Sequence, residues 1–205
     1  TANQLAHAMF PLGDTMKSDV RLEAGRRGLG RAQKPDSHDV CFISDGDTAG
    51  FLHRQLSSLG DVGGDIIDSS GAVVGSHDGV FAFTVGQRKG LRVGTPAADG
   101  RPRYVLDVSP VTRTVTVGPA EELDIRGLLA VRPRWCADAP VGPVECLVQL
   151  RAHGESVPAV VQVLDGDYLD VELHAPARGI APGQAVVAYD GTRVIGSATI
   201  DTTRR

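Results

Sequence analysis

Cys41 stands between a polar, turn-prone run and an apolar pair, in the stretch Lys34-Pro35-Asp36-Ser37-His38-Asp39-Val40-Cys41-Phe42-Ile43. A thiol does chemistry as its thiolate, and Lys34 and His38, both able to carry positive charge, lower the cost of forming it. Asp36 and Ser37 suit an N-cap or an Asx turn, and Pro35 disfavours helix at Lys34, so the cysteine is expected to follow a rigid turn. Loops of this kind commonly carry function. The alternative is a small hydrophobe packed with Phe42 and Ile43 in a core. Spacing alone leaves both readings open. A cysteine hydrolase using His38 or His53 would lack a third orienting group at recognisable spacing, and His38 also reads as a solvated turn histidine.

A second candidate is the run Gly86-Gln87-Arg88-Lys89-Gly90-Leu91-Arg92, a basic turn. Between residues 76 and 103 there are five basic side chains against two acidic ones (Asp78, Asp99). Cations beside glycines let backbone approach phosphate, which suits a nucleic-acid strand; a solvated hairpin loop is the competing reading. His77 has no second ligand at a metal-binding spacing and is expected to be a hydrogen-bonded structural residue. Cys136 and Cys146 are expected to be packing residues. Three cysteines without a Cys-x-x-Cys pair indicate neither a disulfide framework nor a zinc site, and a reducing, cytoplasmic setting is expected. The net charge of −4 argues mildly against a generic nucleic-acid binder, although a local basic face would suffice. No apolar run approaches the length of a membrane span.

The elements that must position these groups are short. Residues 1–10 are compatible with helix up to Pro11, and 14–28 read as an amphipathic helix capped by Asp14 or Thr15, with Met16, Val20 and Ala24 on one stripe and Gly28 as its stop. Residues 50–59 read as a short helix. From residue 60 the texture turns to strands: a hairpin over 65–74, a strand over 80–85, and strands over 104–108 and 114–117, together a small antiparallel β domain. Residues 121–143 either link domains or supply a first barrel strand. Strands over 144–151, 159–163, 168–173, 185–189 and 194–200 follow, with turns at Pro182-Gly183 and Asp190-Gly191. About six short strands at this spacing suggest a closed barrel.

Lys34, Asp36-Ser37 and Cys41-Phe42-Ile43 resemble the Lys-x-Asp-Ser-x-x-x-Cys-Phe-Ile signature of tRNA-specific 2-thiouridylases. Phe10-Pro11-Leu12-Gly13, Lys17, Val20-Arg21 and Ala24 resemble the preceding segment of that family. Gly75, His77, Gly79 and the run from Thr84 to Leu91 resemble its central domain. Ala181-Pro182-Gly183-Gln184 and Tyr189 resemble its C-terminal domain.

The resemblance implies a mainly β chain: the C-terminal remnant of an α/β adenylating (PP-loop) domain over 1–48, a small β domain over 49–120, and a translation-factor-like β-barrel over 121–205. It implies a cytoplasmic, monomeric tRNA sulfurtransferase. ATP would adenylate the C2 oxygen of the wobble uridine, and sulfur from a Cys41 persulfide would displace it, loaded by a donor protein (a cysteine desulfurase or relay). Disulfide bonding also comes with the resemblance, because the family uses a second cysteine to release the sulfur; no family motif here supplies one. The family's Ser-Gly-Gly-x-Asp-Ser ATP-binding loop is absent from the sequence, so the chain reads as a C-terminal fragment, expected to be inactive alone and to bind no nucleotide or metal. Arg151 and Ala152 occupy the positions of an Arg-Tyr pair that contacts tRNA in the family, the alanine being a departure. Gln184 matches a glutamine that does likewise, and Arg88 and Lys89 would supply further tRNA contacts. A non-catalytic RNA-binding β module is the alternative for the fragment alone.

Overall fold

A computed structural model describes residues 1–30, 32–34, 43, 47–56, 63–91, 93–94, 99–152, 154–165 and 167–205, leaving aside the side chains of residues 48, 49, 53 and 56. Cys41, the turn before it and Arg92 lie outside the described residues.

Three short helices come first: α1 (Ala2–Ala6), α2 (Lys17–Arg26) and α3 (Thr48–Leu56). Helix α2 starts later than the sequence suggests. The chain over residues 10–15 is spent on tight turns, in which Gly13 N–H donates to Phe10 O and Thr15 N–H to Leu12 O. Neither Asp14 nor Thr15 caps the helix; Met16 holds that position without a side-chain bond. The end of α2 follows the sequence closely. Gly28 takes φ +68°, Leu29 N–H donates to Ala24 O and Gly28 N–H to Gly25 O, a Schellman stop. No residue of α1 or α2 is buried, and Phe10 and Met16 are more than two-thirds exposed. The expected apolar stripe of α2 is therefore not buried: Met16 is exposed, and Val20 and Ala24 are half-buried.

The central sheet runs β2 (Val73–His77), β1 (Gly64–Asp68), β4 (Thr114–Gly118), β3 (Tyr104–Ser109). It is mixed, not antiparallel: β1 and β4 are parallel, with Ile66 opposite Val115. Ile66, Val105, Val115, Val117 and Leu91 form its core. The strand expected over 80–85 is instead a 3₁₀ turn at Val80–Ala82. In that turn residues i and i+3 share a side, so Val80 and Phe83 both pack on the core. Strand alternation would have sent them to opposite faces.

The C-terminal module is a closed six-stranded barrel in the order β10 (Arg193–Arg204), β5 (Asp124–Trp135), β8 (Tyr168–Arg178), β7 (Val157–Leu164), β6 (Val144–Gln149), β9 (Ala185–Asp190). Every neighbouring pair is antiparallel. The open alternative for residues 121–143 resolves as a short 3₁₀ helix (Ala120–Leu123) and then the first barrel strand. Inward residues of all six strands, among them Leu128, Val148, Val161, Val171, Val186 and Ile200, make one core. Among the described residues no helix is long and apolar enough to cross a membrane.

Candidate nucleic-acid interface

Three of the residues singled out in the barrel come together. Arg151 and Ala152 follow β6, and Gln184 precedes β9. The turn Ala181-Pro182-Gly183-Gln184 delivers Gln184: proline holds the second position, Gly183 takes φ +86°, and Gln184 N–H closes onto Ala181 O at 3.4 Å. The Gln184 carbonyl then accepts from Ile200 N–H at 2.8 Å, tying the turn to β10. Gln149, Arg151, Ala152, Gly154, Gln184 and Val187 line an open groove of about 670 Å³. Gln184 Oε1 is buried there without a hydrogen-bond partner. A buried acceptor with no donor costs roughly 1–3 kcal/mol, so a ligand donor at this spot would be favoured.

The wall of the groove is braced by Tyr189 and by Gln149, a residue the sequence did not single out. Tyr189 donates its hydroxyl to Gln149 Oε1 at 2.9 Å, and Gln149 Nε2 donates to Gly154 O at 2.9 Å. Tyr189 carried a motif signal; Gln149 carried none, because its partners lie on another strand and in the following loop. Ala152 is exposed on the rim and brings a methyl group, with no ring to stack on a base.

Arg151 is not a free cation. Its Nη2 donates to the carbonyls of Arg178 and, at 2.7 Å, of Gly179. A second cavity of about 290 Å³ lies on its far side, bounded by Glu155, Ala177, Arg178 and Ile180. Arg178 in turn forks onto Asp124 at 2.7 and 2.9 Å, and the hydrogen bond from this guanidinium holds the Asp124 carboxyl below the usual carboxylate range.

In the central module Arg88 and Lys89 are exposed. Their loop is held from inside: Gln87 Oε1 accepts from Thr84 N–H at 3.0 Å while its Nε2 donates to Lys89 O at 2.9 Å. His77 departs from expectation. It is buried at 9% exposure against the Phe83 ring, 5.4 Å between centroids, yet neither ring nitrogen has a hydrogen-bond partner. The strand end packs it as an aromatic plate, not as a hydrogen-bonding group.

Cys136 and Cys146 are free and half-buried, so the expected disulfide bonding finds no support among the described residues. Burial, then the charge of Glu145, pushes the Cys146 thiol up, which disfavours the nucleophilic form. No group of His, Cys, Asp and Glu among the described residues has the layout of a metal site. The segment that leads to Cys41 is anchored at its start, where Arg21 Nη2 of α2 donates to Lys34 O at 3.0 Å.

Comparison with known proteins places these parts in one order. Residues 1–45 match the family described as tRNA methyl transferase HUP domain, 49–119 the tRNA methyl transferase PRC-barrel domain, and 125–200 the Aminomethyltransferase beta-barrel domain. The tRNA-specific 2-thiouridylase MnmA of Acidothermus cellulolyticus is 65% identical over 202 residues, covering 98% of this chain and 55% of that protein. Its counterparts from Streptomyces avermitilis (62% over 204 residues; 98% and 53%) and Kineococcus radiotolerans (61% over 206 residues; 98% and 56%) are similar to the same extent. The chain thus spans about half the length of the curated relatives it matches. With a HUP-domain tail, a PRC-barrel domain and a six-stranded β-barrel in that sequence, it belongs to the MnmA family.

Proposed function

We propose that this chain carries the sulfur-bearing loop and the RNA-gripping surface of a tRNA-uridine 2-sulfurtransferase. The observation that carries the reading is the groove: Arg151, Ala152 and Gln184, more than thirty positions apart in sequence at the extremes, line one cavity of about 670 Å³. Arg88 and Lys89 are exposed on the central module. A largely apolar groove with a few polar groups, on a chain that also exposes cations, suits a base edge turned inward from a phosphate backbone. Gln184 Oε1 offers the acceptor, and Arg88 and Lys89 supply the charge.

Cys41 is the sulfur carrier in this reading. Its thiolate takes the outer sulfur of a donor protein's persulfide, the donor thiolate leaving. The terminal sulfur then attacks C2 of the wobble uridine, and the activated oxygen leaves. A second thiol attacks the Cys41 sulfur, breaking the S–S bond to release the 2-thiouridine and leaving a disulfide that a further thiol must reduce. ATP, when bound, supplies the activation of the uridine oxygen. The sequence contains no Ser-Gly-Gly-x-Asp-Ser run, so the residues of this chain do not supply that nucleotide-binding loop, and the nucleotide would be held outside them. By itself, the chain would then bind tRNA without modifying it. We divide it for this purpose into 1–48, 49–120 and 121–205.

In the longer protein, Cys41→Ser is expected to abolish thiolation and leave tRNA affinity within about twofold. Retained 2-thiouridine would remove Cys41 from the mechanism. For the chain alone, tRNA affinity is expected to fall steeply with salt, because cations on phosphate release counterions; affinity indifferent to salt would overturn the RNA-gripping role.

A further inference from the structure

We infer that Arg151 is a positioning residue: it clamps the Gly179 backbone against Gly86 and thereby fixes the cationic loop of the central module relative to the barrel groove. The consequence for RNA rests on the reading above; the clamp itself does not.

The argument starts from the peptide at Gly179, which is held on every side. Arg151 Nη2 donates to the carbonyls of Arg178 and Gly179, bonds strengthened by the guanidinium charge. Gly179 N–H donates to Leu123 O at 3.1 Å. The Arg178 side chain is forked onto Asp124, so the residue before Gly179 cannot swing. Gly179 takes φ +67°, and a β-carbon there would lie 2.5 Å from Arg151 Nη2. Only glycine leaves the guanidinium its place.

Opposite stands Gly86, at φ +87°, the first residue of the basic run. A β-carbon built on Gly86 would lie 3.8 Å from Gly179 Cα, and one on Gly179 would lie 3.7 Å from Gly86 Cα. The two modules therefore meet backbone to backbone. Gly86 N–H donates to Val105 O at 2.8 Å, Val105 N–H returns to Gln87 O at 2.9 Å, and the Gln87 side chain ties Thr84 to Lys89. These bonds tie Gly86 to Lys89, a link through which a shift of Gly179 would be passed to Arg88 and Lys89. A guanidinium with both Nη2 protons on carbonyls has fewer donors left to fork a phosphate, which separates this role from direct contact with RNA.

The test places spin labels on two fully exposed loop tips, Val111→Cys in the central sheet and Val141→Cys in the barrel, with the native cysteines replaced. Interspin distances are read without RNA for the parent, Arg151→Gln and Gly179→Ala, each confirmed folded by circular dichroism. The expected result is one narrow distribution in the parent and a broadened or displaced one in both variants. Both variants should also lose tRNA affinity by the same factor, roughly tenfold, although Gly179 carries no charge. Unchanged distances in Arg151→Gln overturn the clamp. So does a loss confined to Arg151→Gln with the salt slope lower by about one, which marks a direct phosphate contact. Altered distances with unaltered affinity would remove the link to RNA. If the parent itself binds no tRNA, the proposed function falls while the distance measurement still decides the clamp.

Discussion

A side chain's type fixes what it can do, and its neighbours fix what it does. Arg151 has the donors to grip a phosphate, yet two carbonyls already occupy Nη2. Cys146 is a thiol like Cys41 in the chain formula, yet burial pushes it away from the reactive form. His77 is the clearest instance, since a histidine in a turn-rich β module would ordinarily be read through its nitrogens. Here both are buried and unpartnered, and the ring packs on Phe83. Removing a polar group that makes no bond relieves a desolvation cost. His77→Leu is therefore expected to leave the melting temperature unchanged or raise it. A fall equivalent to about 1–3 kcal/mol would show a hydrogen bond to the imidazole after all.

Elements here are joined by a few charged pairs whose effect depends on pH. The Asp124–Arg178 fork links the first residue of β5 to the last of β8. The Asp124 carboxyl is held low in the folded chain, first by that hydrogen bond. A depressed folded pKa contributes stability above the unfolded value of about 3.9, and that contribution is lost as pH falls towards the folded pKa. Asp124→Asn is thus expected to melt lower than the parent at pH 7, with the gap constant down to about pH 5 and closing below pH 4. A gap of the same size at pH 3 would show that the carboxylate charge is not what stabilises the pair. Both partners are partly solvated, so the effect is modest and weakens with salt.

At the scale of the molecule, two cores of unequal size stand side by side. The barrel buries fifteen apolar residues in one cluster and the central sheet five, among the described residues. Closure also leaves the barrel without free edges, whereas β2 and β3 end the central sheet. Local opening follows buried contact and edge exposure. Amide exchange is expected to be slowest in β5, β7 and β8 and faster throughout β1–β4. Equal protection in the two modules would mean that they open as one unit and that the junction at Gly86 and Gly179 couples them more tightly than their separate cores imply. Such coupling would suit the RNA surface proposed above for Arg88, Lys89 and Gln184.

The amino-acid sequence by itself determined the parts whose cause is local. Gly28 stops α2 because only a glycine slips easily into the left-handed turn that closes a helix, and Pro182-Gly183 makes its turn through the fixed φ of one residue and the freedom of the next. Alternating apolar residues marked most barrel strands, and the residue signature around Cys41 pointed to the family. What needed the tertiary structure is what depends on partners far along the chain. Nothing near Ile66 foretells that β1 lies parallel to β4, some fifty residues on, since period-two patterning is the same in either direction. The 3₁₀ turn at Val80 answers to a core that must be filled from one side. Arg151 finds its acceptors 27 and 28 residues away. Its charge was legible from the start; its target was decided only when the barrel closed and brought Gly179 within reach.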